Sequence, residues 1–280
     1  MCDSHQRLRV FVLLYKSLGW WPVVRKSEAH GSGRDIRIML GEPSGDLIGI
    51  EFPWSEAQDL ALELLDSFPG YGPGSAPLRH RLARGNLRND HLRFEIPSSA
   101  AHLFIDRPLV VLELRGDGHE VAVPPCVDAG GESLAWWGFP NNPPCWKEGE
   151  LEDACGTTAA LAVVAHAYAR SSGNRETICE ALAGALVLAG LHPGDVERFV
   201  EKVAFLAKDE NWFKRGTGAA AIRARIDAGE YVMNIAELCR ELCIEPMAST
   251  LSQWLGIEGD GEGGNAAFGG ERNARGENHE

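Results

Sequence analysis

The sequence predicts an α+β protein in which a mixed sheet with flanking helices is followed by an all-α region. Up to about residue 137, short apolar or alternating runs are separated by turns that contain glycine and proline, which is typical of strands. Beyond Ala154 the chain becomes alanine-rich, and apolar residues recur at helical spacing. Its 280 residues and 44% hydrophobic content suffice for two ordinary domains with a buried core.

Composition along the chain indicates where these domains end. Residues 138–150, GFPNNPPCWKEGE, are rich in proline and glycine and form the best candidate for a linker. We therefore predict a first domain over residues 1–140, a linker over 141–153 and a helical domain over 154–257. Residues 258–280 are dominated by glycine and polar residues, so we expect a disordered tail there.

The N-terminal half is expected to contain both helices and strands. A first helix over residues 5–18 ends at Gly19, and a second begins at Ser55 with one apolar face. Loops are expected over 25–34 and 67–77. The predicted strands cover residues 20–24, 35–40, 47–52, 102–105, 109–114 and 120–123.

The segment 109–128, LVVLELRGDGHEVAVPPCVD, is the most informative part of this half. Two apolar runs flank Arg-Gly-Asp-Gly at 115–118, which is the composition of a tight turn, so the pattern predicts a hairpin. Its open end would carry Glu113, Arg115 and Asp117. An aspartate between two glycines is, by itself, more typical of a turn former than of a ligand.

The C-terminal half shows helix-ending and helix-starting residues. Gly190 is expected to end a helix, and Pro193 to begin the next one. Further helices are expected near residues 217–228, 234–244 and 247–255.

Charge and cysteine content exclude several classes of protein. A net charge of −13 argues against binding nucleic acid with the whole surface. Seven cysteines without a CxxC pair argue against a disulfide framework or a structural zinc site. Together with the lack of a signal-peptide pattern, they favour a cytoplasmic protein. No apolar run has the length of a membrane span, so we expect no membrane partner.

A local excess of positive charge interrupts this acidic background. Between residues 79 and 93 only one acidic residue, Asp90, accompanies five arginines. The segment is either a solvated, mobile loop or an arm that binds nucleic-acid phosphates, and the sequence leaves both interpretations open. The arginines are Arg79, Arg81, Arg84, Arg88 and Arg93.

Two strand-borne carboxylates, Glu51 and Glu113, are the candidate metal ligands. Hard divalent cations prefer oxygen ligands, a sheet holds such ligands at a set separation, and two metals can support an in-line displacement. His102 and Arg115 are candidates for contacting a nucleotide phosphate. Each residue also has an ordinary explanation, because a strand glutamate usually faces solvent and a lone histidine is usually structural.

Three segments, in order, resemble the catalytic domain of bifunctional DNA primase-polymerases of plasmids and phages, within the archaeo-eukaryotic primase superfamily. DIRIMLGEPSGDLIGIEFPWSEA resembles the glycine turn and first metal-binding strand, and PSSAAHLFID resembles the serine-to-histidine motif. LVVLELRGDGHEVAVPPCVDAGGESLAW resembles the last metal motif, with the RGDG turn at the edge of a nucleotide pocket. The resemblance covers roughly residues 10–137, and residues 154–257 look like the helical domain that often follows.

The resemblance implies a DNA replication protein that uses Mg²⁺ or Mn²⁺, nucleoside triphosphates and a single-stranded DNA template. Glu51, His102 and Glu113 would be catalytic, with the two glutamates as metal ligands. His102 and Arg115 would bind the triphosphate, and the arginines between 79 and 93 would bind nucleic acid. Because the chain has no P-loop motif, a replicative helicase would be a separate partner.

The chain departs from the family in its first metal strand. The family has two aspartates separated by one residue, and the corresponding positions here are Gly49 and Glu51. Two hypotheses follow: an active nucleotidyltransferase, or a catalytically impaired replication module that binds nucleic acid or nucleotide. On sequence grounds, Gly49→Asp is expected to raise any metal-dependent nucleotide incorporation. No nucleophile or cofactor motif supports an unrelated small-molecule enzyme.

Overall fold

The strands lie in the N-terminal half and most of the helices in the C-terminal half, which confirms the α+β class. The computed structural model describes residues 4–26, 34–65, 69–128, 130–140, 143–216 and 218–257. The strands are β1 (Trp21–Lys26), β2 (Arg34–Met39), β3 (Leu47–Glu51), β4 (Gly70–Gly72), β5 (His80–Arg84), β6 (His91–Glu95), β7 (Val110–Arg115), β8 (Glu120–Ala122) and β9 (Ala135–Trp137). The helices are α1 (Ser4–Ser17), α2 (Ser55–Leu64), α3 (Glu150–Arg170), α4 (Arg175–Leu188), α5 (Pro193–Leu206), α6 (Ala219–Asp227), α7 (Ile235–Glu241) and α8 (Ala248–Trp254).

A six-stranded antiparallel sheet, ordered β6-β7-β3-β5-β4-β9, forms the centre of the N-terminal half. One face of this large sheet is apolar, and its residues alternate with polar ones because side chains along a strand point to opposite faces. Ile50 and Leu114 on that face share a hydrophobic cluster with Leu60 of α2 and Leu161 of α3. The large sheet is thus covered on one side by α2 and α3.

A second, three-stranded antiparallel sheet, ordered β1-β2-β8, covers part of the opposite face. Ile36 and Ile38 of β2 are buried in a separate hydrophobic cluster. That cluster also contains Leu47 and Leu82 of the large sheet. The small sheet therefore packs over one end of the polar face and leaves the other end for polar side chains.

The predicted hairpin at 109–128 is wrong. Its two strands form as β7 and β8, but β7 pairs with β3 and β6, whereas β8 pairs with β2 in the small sheet. The turn at 116–118 thus connects two sheets. Two strands joined by a turn are adjacent in sequence, but the burial of their hydrophobic faces determines which strands they pair with.

The strand predicted over residues 102–105 is also wrong. Residues 102 and 103 belong to the short 3-10 helix Ala101–Leu103. The arginine-rich segment is not a mobile loop, because it contains β5 and β6 of the large sheet, and its binding of nucleic-acid phosphates stays a prediction. In β6, Leu92 and Phe94 alternate with His91, Arg93 and Glu95, which is the period of a strand despite the charges.

The C-terminal half is helical, as predicted. Gly190, with φ +81°, follows the end of α4, and α5 begins at Pro193. The predicted linker overlaps the first turn of α3, which begins at Glu150, and residues on both sides of the linker belong to one hydrophobic cluster. The tail predicted over 258–280 lies outside the described residues. No helix within the described ranges has the length and apolar character needed to cross a bilayer.

Candidate functional site

A continuous row of side chains crosses the polar face of the large sheet. Glu51 on β3 lies directly opposite Glu113 on β7, so the two predicted metal ligands are cross-strand neighbours. Residues directly opposite each other in an antiparallel pair share a face of the sheet. The full row, from one edge strand to the other, is Arg93, Glu113, Glu51, His80, Tyr71 and Trp136.

Arg115 links the two carboxylates. Its Nη2 atom lies 2.7 Å from Glu113 Oε2 and 3.4 Å from Glu51 Oε2. Arg79 contacts the remaining oxygen of Glu51, with Nη2 3.1 Å from Oε1. His91 Nε2 makes a hydrogen bond with Glu113 Oε1. We call these five residues the carboxylate–arginine cluster; each carboxylate in it is held by two cationic or imidazole groups.

These contacts change the ionisation of the cluster. Burial of Glu113 acts to raise its pKa, but hydrogen bonds from Arg115 and His91 outweigh it and hold the pKa below its ordinary value. Partial burial of Arg115 acts against its charge, but the hydrogen bond to Glu113 and the charges of both glutamates raise the pKa of its guanidinium. The Glu113 carboxylate and the Arg115 guanidinium are therefore ionised at neutral pH and neutralise each other's charge.

His80 lies beside the cluster and differs from it in charge. Burial lowers the pKa of His80 to about 4, despite the opposing effect of Glu51, so the ring is neutral at neutral pH. Its imidazole stacks on Tyr71, with ring centroids 5.0 Å apart. His80 and Tyr71 line a small pocket with both glutamates and Arg115. The volume of this pocket, about 10 Å³, has room for about one water molecule.

The cluster does not have the donor arrangement of a two-metal centre. Across the part of the chain that the structure describes, no group of three or more His, Cys, Asp or Glu side chains is placed to hold a metal ion. The two carboxylates that were predicted as ligands instead accept hydrogen bonds from Arg79, Arg115 and His91. The residues as arranged do not fit the metal pair that the resemblance implies.

Gly49 has a structural role in this arrangement. A Cβ atom at this position would lie 2.8 Å from Val121 Cγ1 and 3.2 Å from Leu40 Cδ1. Both neighbours belong to the hydrophobic cluster under the small sheet. Residue 49 therefore lies on the polar face at the point where the small sheet covers it, and glycine is what lets the two sheets approach.

His102 is not part of the cluster. It lies in the short 3-10 helix Ala101–Leu103, and its side chain is exposed. None of the hydrogen bonds or ion pairs found among the described residues joins it to Glu51 or Glu113. The residues that the sequence reasoning missed are His80, His91 and Tyr71. The first two lie in β5 and β6, whose strand pattern was hidden by the arginines.

The five predicted nucleic-acid arginines do not form one surface. Arg79 joins Glu51, and Arg93 on the edge strand β6 pairs with Glu95 at 3.4 Å. Arg81 lies on the opposite face, is buried, and donates a hydrogen bond to the carbonyl of Leu65. This burial withdraws Arg81 from any nucleic acid.

The other two arginines have structural contacts. Arg84 donates to the carbonyls of Ser44 and Gly45 in the turn before β3. Arg88 pairs with Glu152 at 3.4 Å and with Asp153 at 3.7 Å, at the start of α3. Negative side chains in the first turn of a helix interact favourably with the positive end of the helix dipole. Arg88 thus connects the large sheet to the helical half.

A second cleft opens where the turn at 41–46 meets the turn at 116–118. Its volume is about 290 Å³. The carboxyl-bearing residues that line it are Glu42, Asp46, Asp90 and Asp117. Four acidic side chains disfavour a triphosphate in this cleft, so Arg115, which faces the carboxylate–arginine cluster, is the residue of the RGDG turn that is placed for a phosphate.

Another charged cluster joins the sheet to the helices. Glu56 of α2 accepts a hydrogen bond from Arg107 Nη2 at 2.5 Å and lies 3.2 Å from Nδ1 of the buried His166 of α3. Asp106 pairs with Arg170 of α3 at 3.0 Å. Burial of Glu56 acts to raise its pKa, but the contacts with His166 and Arg107 outweigh it and lower the pKa to about 2.

We expect protonation of the Glu56 carboxylate to destabilise the folded protein in acid. Because its folded pKa lies near 2 and its ordinary value is 4.5, its contribution is complete above about pH 4.5 and is lost as the pH falls towards 2. Urea unfolding should show a steeper loss of unfolding free energy in that window for the wild type than for Glu56→Gln. Glu148→Gln, which removes an exposed carboxylate, is the control. Parallel curves for the wild type and Glu56→Gln would contradict the assignment.

No family model, no curated protein and no solved structure matches this chain.

Proposed function

We propose that the chain is a primase-polymerase-like replication module that binds a nucleoside triphosphate at the carboxylate–arginine cluster and is impaired in nucleotidyl transfer. The observation that carries this proposal is the position of Arg115, whose Nη2 atom contacts both Glu51 and Glu113. A guanidinium between two carboxylates supplies the positive charge that a divalent metal would otherwise supply. Support for the type of module comes from the three sequence segments that resemble the primase-polymerases.

The cluster has the donors that a triphosphate needs. Arg115 on β7 and Arg79, immediately before β5, both contact Glu51 on the strand between them, β3. A guanidinium has five N–H donors and pairs well with phosphate oxygens, so each arginine has donors beyond those given to the glutamate. The neutral, partly buried His80 lies beside the arginines and stacks on the buried Tyr71. In this proposal, phosphate oxygens take over contacts that the carboxylates now hold.

Impaired transfer follows from the same contacts. A transferring enzyme must place both the attacking and the leaving oxygen, and acidic ligands to metal ions normally do so. Here Gly49 supplies no carboxylate, and the packing of Val121 and Leu40 against it leaves no space for one. The carboxylates of Glu51 and Glu113 are already paired.

The test separates binding from transfer. Fluorescence anisotropy with a labelled nucleoside triphosphate should detect binding by the wild type. Arg115→Ala should weaken it roughly 10- to 100-fold, because the variant cannot make the charge-assisted hydrogen bonds to phosphate. The affinity of Arg115→Lys should lie between those of the wild type and Arg115→Ala, since lysine keeps the positive charge but not the forked N–H donors of the guanidinium. Arg25→Ala, which breaks an Arg–Glu pair in the small sheet, is the control and should bind as the wild type does.

Metal-dependent nucleotidyl transfer is the second candidate. It is favoured by the direct cross-strand pairing of Glu51 and Glu113, two residues that the resemblance selects as metal ligands. Incorporation of labelled nucleotides on primed and unprimed single-stranded DNA, with Mg²⁺ or Mn²⁺, decides between the two. Incorporation that is lost in Glu113→Gln would establish transfer and contradict the impaired module. A wild type that binds triphosphate and incorporates no nucleotide would support the impaired module.

A further inference from the structure

The helical half presents a group of exposed aromatic side chains after α5. Phe205, Trp212 and Phe213 are 52%, 38% and 54% exposed. Phe205 and Trp212 pack edge to face with ring centroids 5.5 Å apart, and Trp212 and Phe213 do so at 6.0 Å. Monomeric proteins seldom expose large rings in contiguous groups without a binding role.

The core does not require these rings. The buried stripe of α5 consists of Val196, Phe199, Val200, Val203 and Ala204, and Phe205 falls outside it. Trp212 and Phe213 belong to the short 3-10 helix Trp212–Lys214, none of whose residues is buried. The three rings are therefore surface residues that do not contribute to the hydrophobic core.

Lysines accompany the rings. The chain has six lysines, and three of them, Lys202, Lys208 and Lys214, lie within residues 202–214. Lys202 Nζ lies 5.8 Å from the centroid of the Phe205 ring, and Lys214 Nζ lies 5.4 Å from that of Phe213. Such cation–π contacts present an ammonium group and a ring side by side. We call these three rings and three lysines the aromatic–lysine patch.

Acidic residues also lie near the patch. Asp209 is buried and accepts a hydrogen bond from Arg215 at 2.8 Å, so its charge is balanced by this arginine. Lys202 also pairs with Glu63 at 3.4 Å, and Glu210 is exposed. The patch thus places three of the chain's six ammonium groups beside exposed rings, on a chain whose net charge is −13.

We propose that the aromatic–lysine patch binds single-stranded nucleic acid. Unpaired bases stack on aromatic rings, and phosphates pair with neighbouring ammonium groups. A duplex hides the base faces that the rings would contact, so single strands fit better. This surface lies in the helical half, goes beyond the triphosphate site proposed above, and does not depend on it.

The first test removes the rings. Binding of a labelled single-stranded oligonucleotide is measured by fluorescence anisotropy for the wild type and for Phe205→Ala combined with Phe213→Ala. We expect the double variant to bind roughly tenfold more weakly or worse, because each stacked base contributes appreciably to affinity. Phe139→Ala removes a ring that is 65% exposed in the other half of the chain, and it should bind as the wild type does.

The second test removes the charges. Lys208→Ala combined with Lys214→Ala should make the plot of log affinity against log salt concentration less steep by about 0.7 for each phosphate that the variant no longer neutralises. Lys147→Ala makes the same kind of charge change at an exposed lysine and should leave the slope unchanged.

Three results would overturn the proposal. They are a wild type that binds no oligonucleotide, an equal loss of affinity in Phe139→Ala, and binding of anionic phospholipid vesicles in place of the oligonucleotide. The triphosphate site is judged separately on the same proteins. Patch variants should keep triphosphate binding while Arg115→Ala loses it, so failure of either proposal is recognised independently.

Discussion

Replacing Gly49 with aspartate is expected to lower the free energy of unfolding by about 3 kcal/mol and to create no metal site. A Cβ at this position would lie 2.8 Å from Val121 and 3.2 Å from Leu40, both of which are buried under the small sheet. Overpacking alone costs roughly 1–3 kcal/mol, and the carboxylate would add a desolvation cost. This expectation replaces the one drawn from sequence alone, in which the same change restored a ligand.

The measurement is chemical unfolding of Gly49→Ala and Gly49→Asp beside the wild type. Gly49→Ala adds only the Cβ, so it isolates the steric part of the cost. A Gly49→Asp protein as stable as the wild type, with new metal-dependent incorporation, would show that the small sheet can move aside and that the active-enzyme hypothesis is correct.

Replacing Asp209 with alanine is expected to lower the free energy of unfolding by roughly 3–5 kcal/mol, because it breaks a buried ion pair. Asp209 lies in the helical half and accepts hydrogen bonds from Tyr168 Oη at 2.6 Å and Arg215 Nε at 2.8 Å. Burial acts to raise its pKa, but these hydrogen bonds outweigh it and lower the pKa to about 2. Without the carboxylate, Arg215 would keep its charge with little access to water.

A second aspartate provides a matched control. Asp195 pairs with Arg198 at 2.9 Å, nearly the same distance as in the Asp209–Arg215 pair, but both side chains of this pair are about half exposed. Asp195→Ala should cost no more than about 1 kcal/mol, since exposed pairs are screened by water. Equal losses of stability in thermal or chemical unfolding would mean that burial does not determine the strength of these pairs.

Much of the fold follows from local patterns in the sequence. The strands β2, β3 and β7 and the helices after residue 150 were predictable because their apolar residues recur at the period of a strand or a helix. The strands β5 and β6 were missed because arginines suggested a loop, although the alternation in β6 is that of a strand. The pairing of β8 with β2 could not be predicted, because the choice of partner depends on packing between distant segments.

The candidate site shows the same division. Glu51 and Glu113 were predicted from separate segments, and the antiparallel register places them opposite each other. The contacts that Arg79 and Arg115 make with these carboxylates depend on that register and could not be deduced from spacing alone. Arg81 illustrates the limit most clearly, because strand alternation places it on the covered face while its neighbours in β5 face the other way.

The pairing of the small sheet has a consequence for the order in which the chain can fold during synthesis. Ile38 of β2 pairs with Val121 of β8, about 80 residues later in the chain. The hydrophobic cluster of this sheet also includes Leu134, so Ile36 and Ile38 of β2 cannot complete their packing until that later segment has been synthesised. Contacts between distant segments form slowly, because a long loop must close first. The strands β1 and β2 therefore emerge from the ribosome long before β8 and complete their sheet only after most strands of the large sheet have been made.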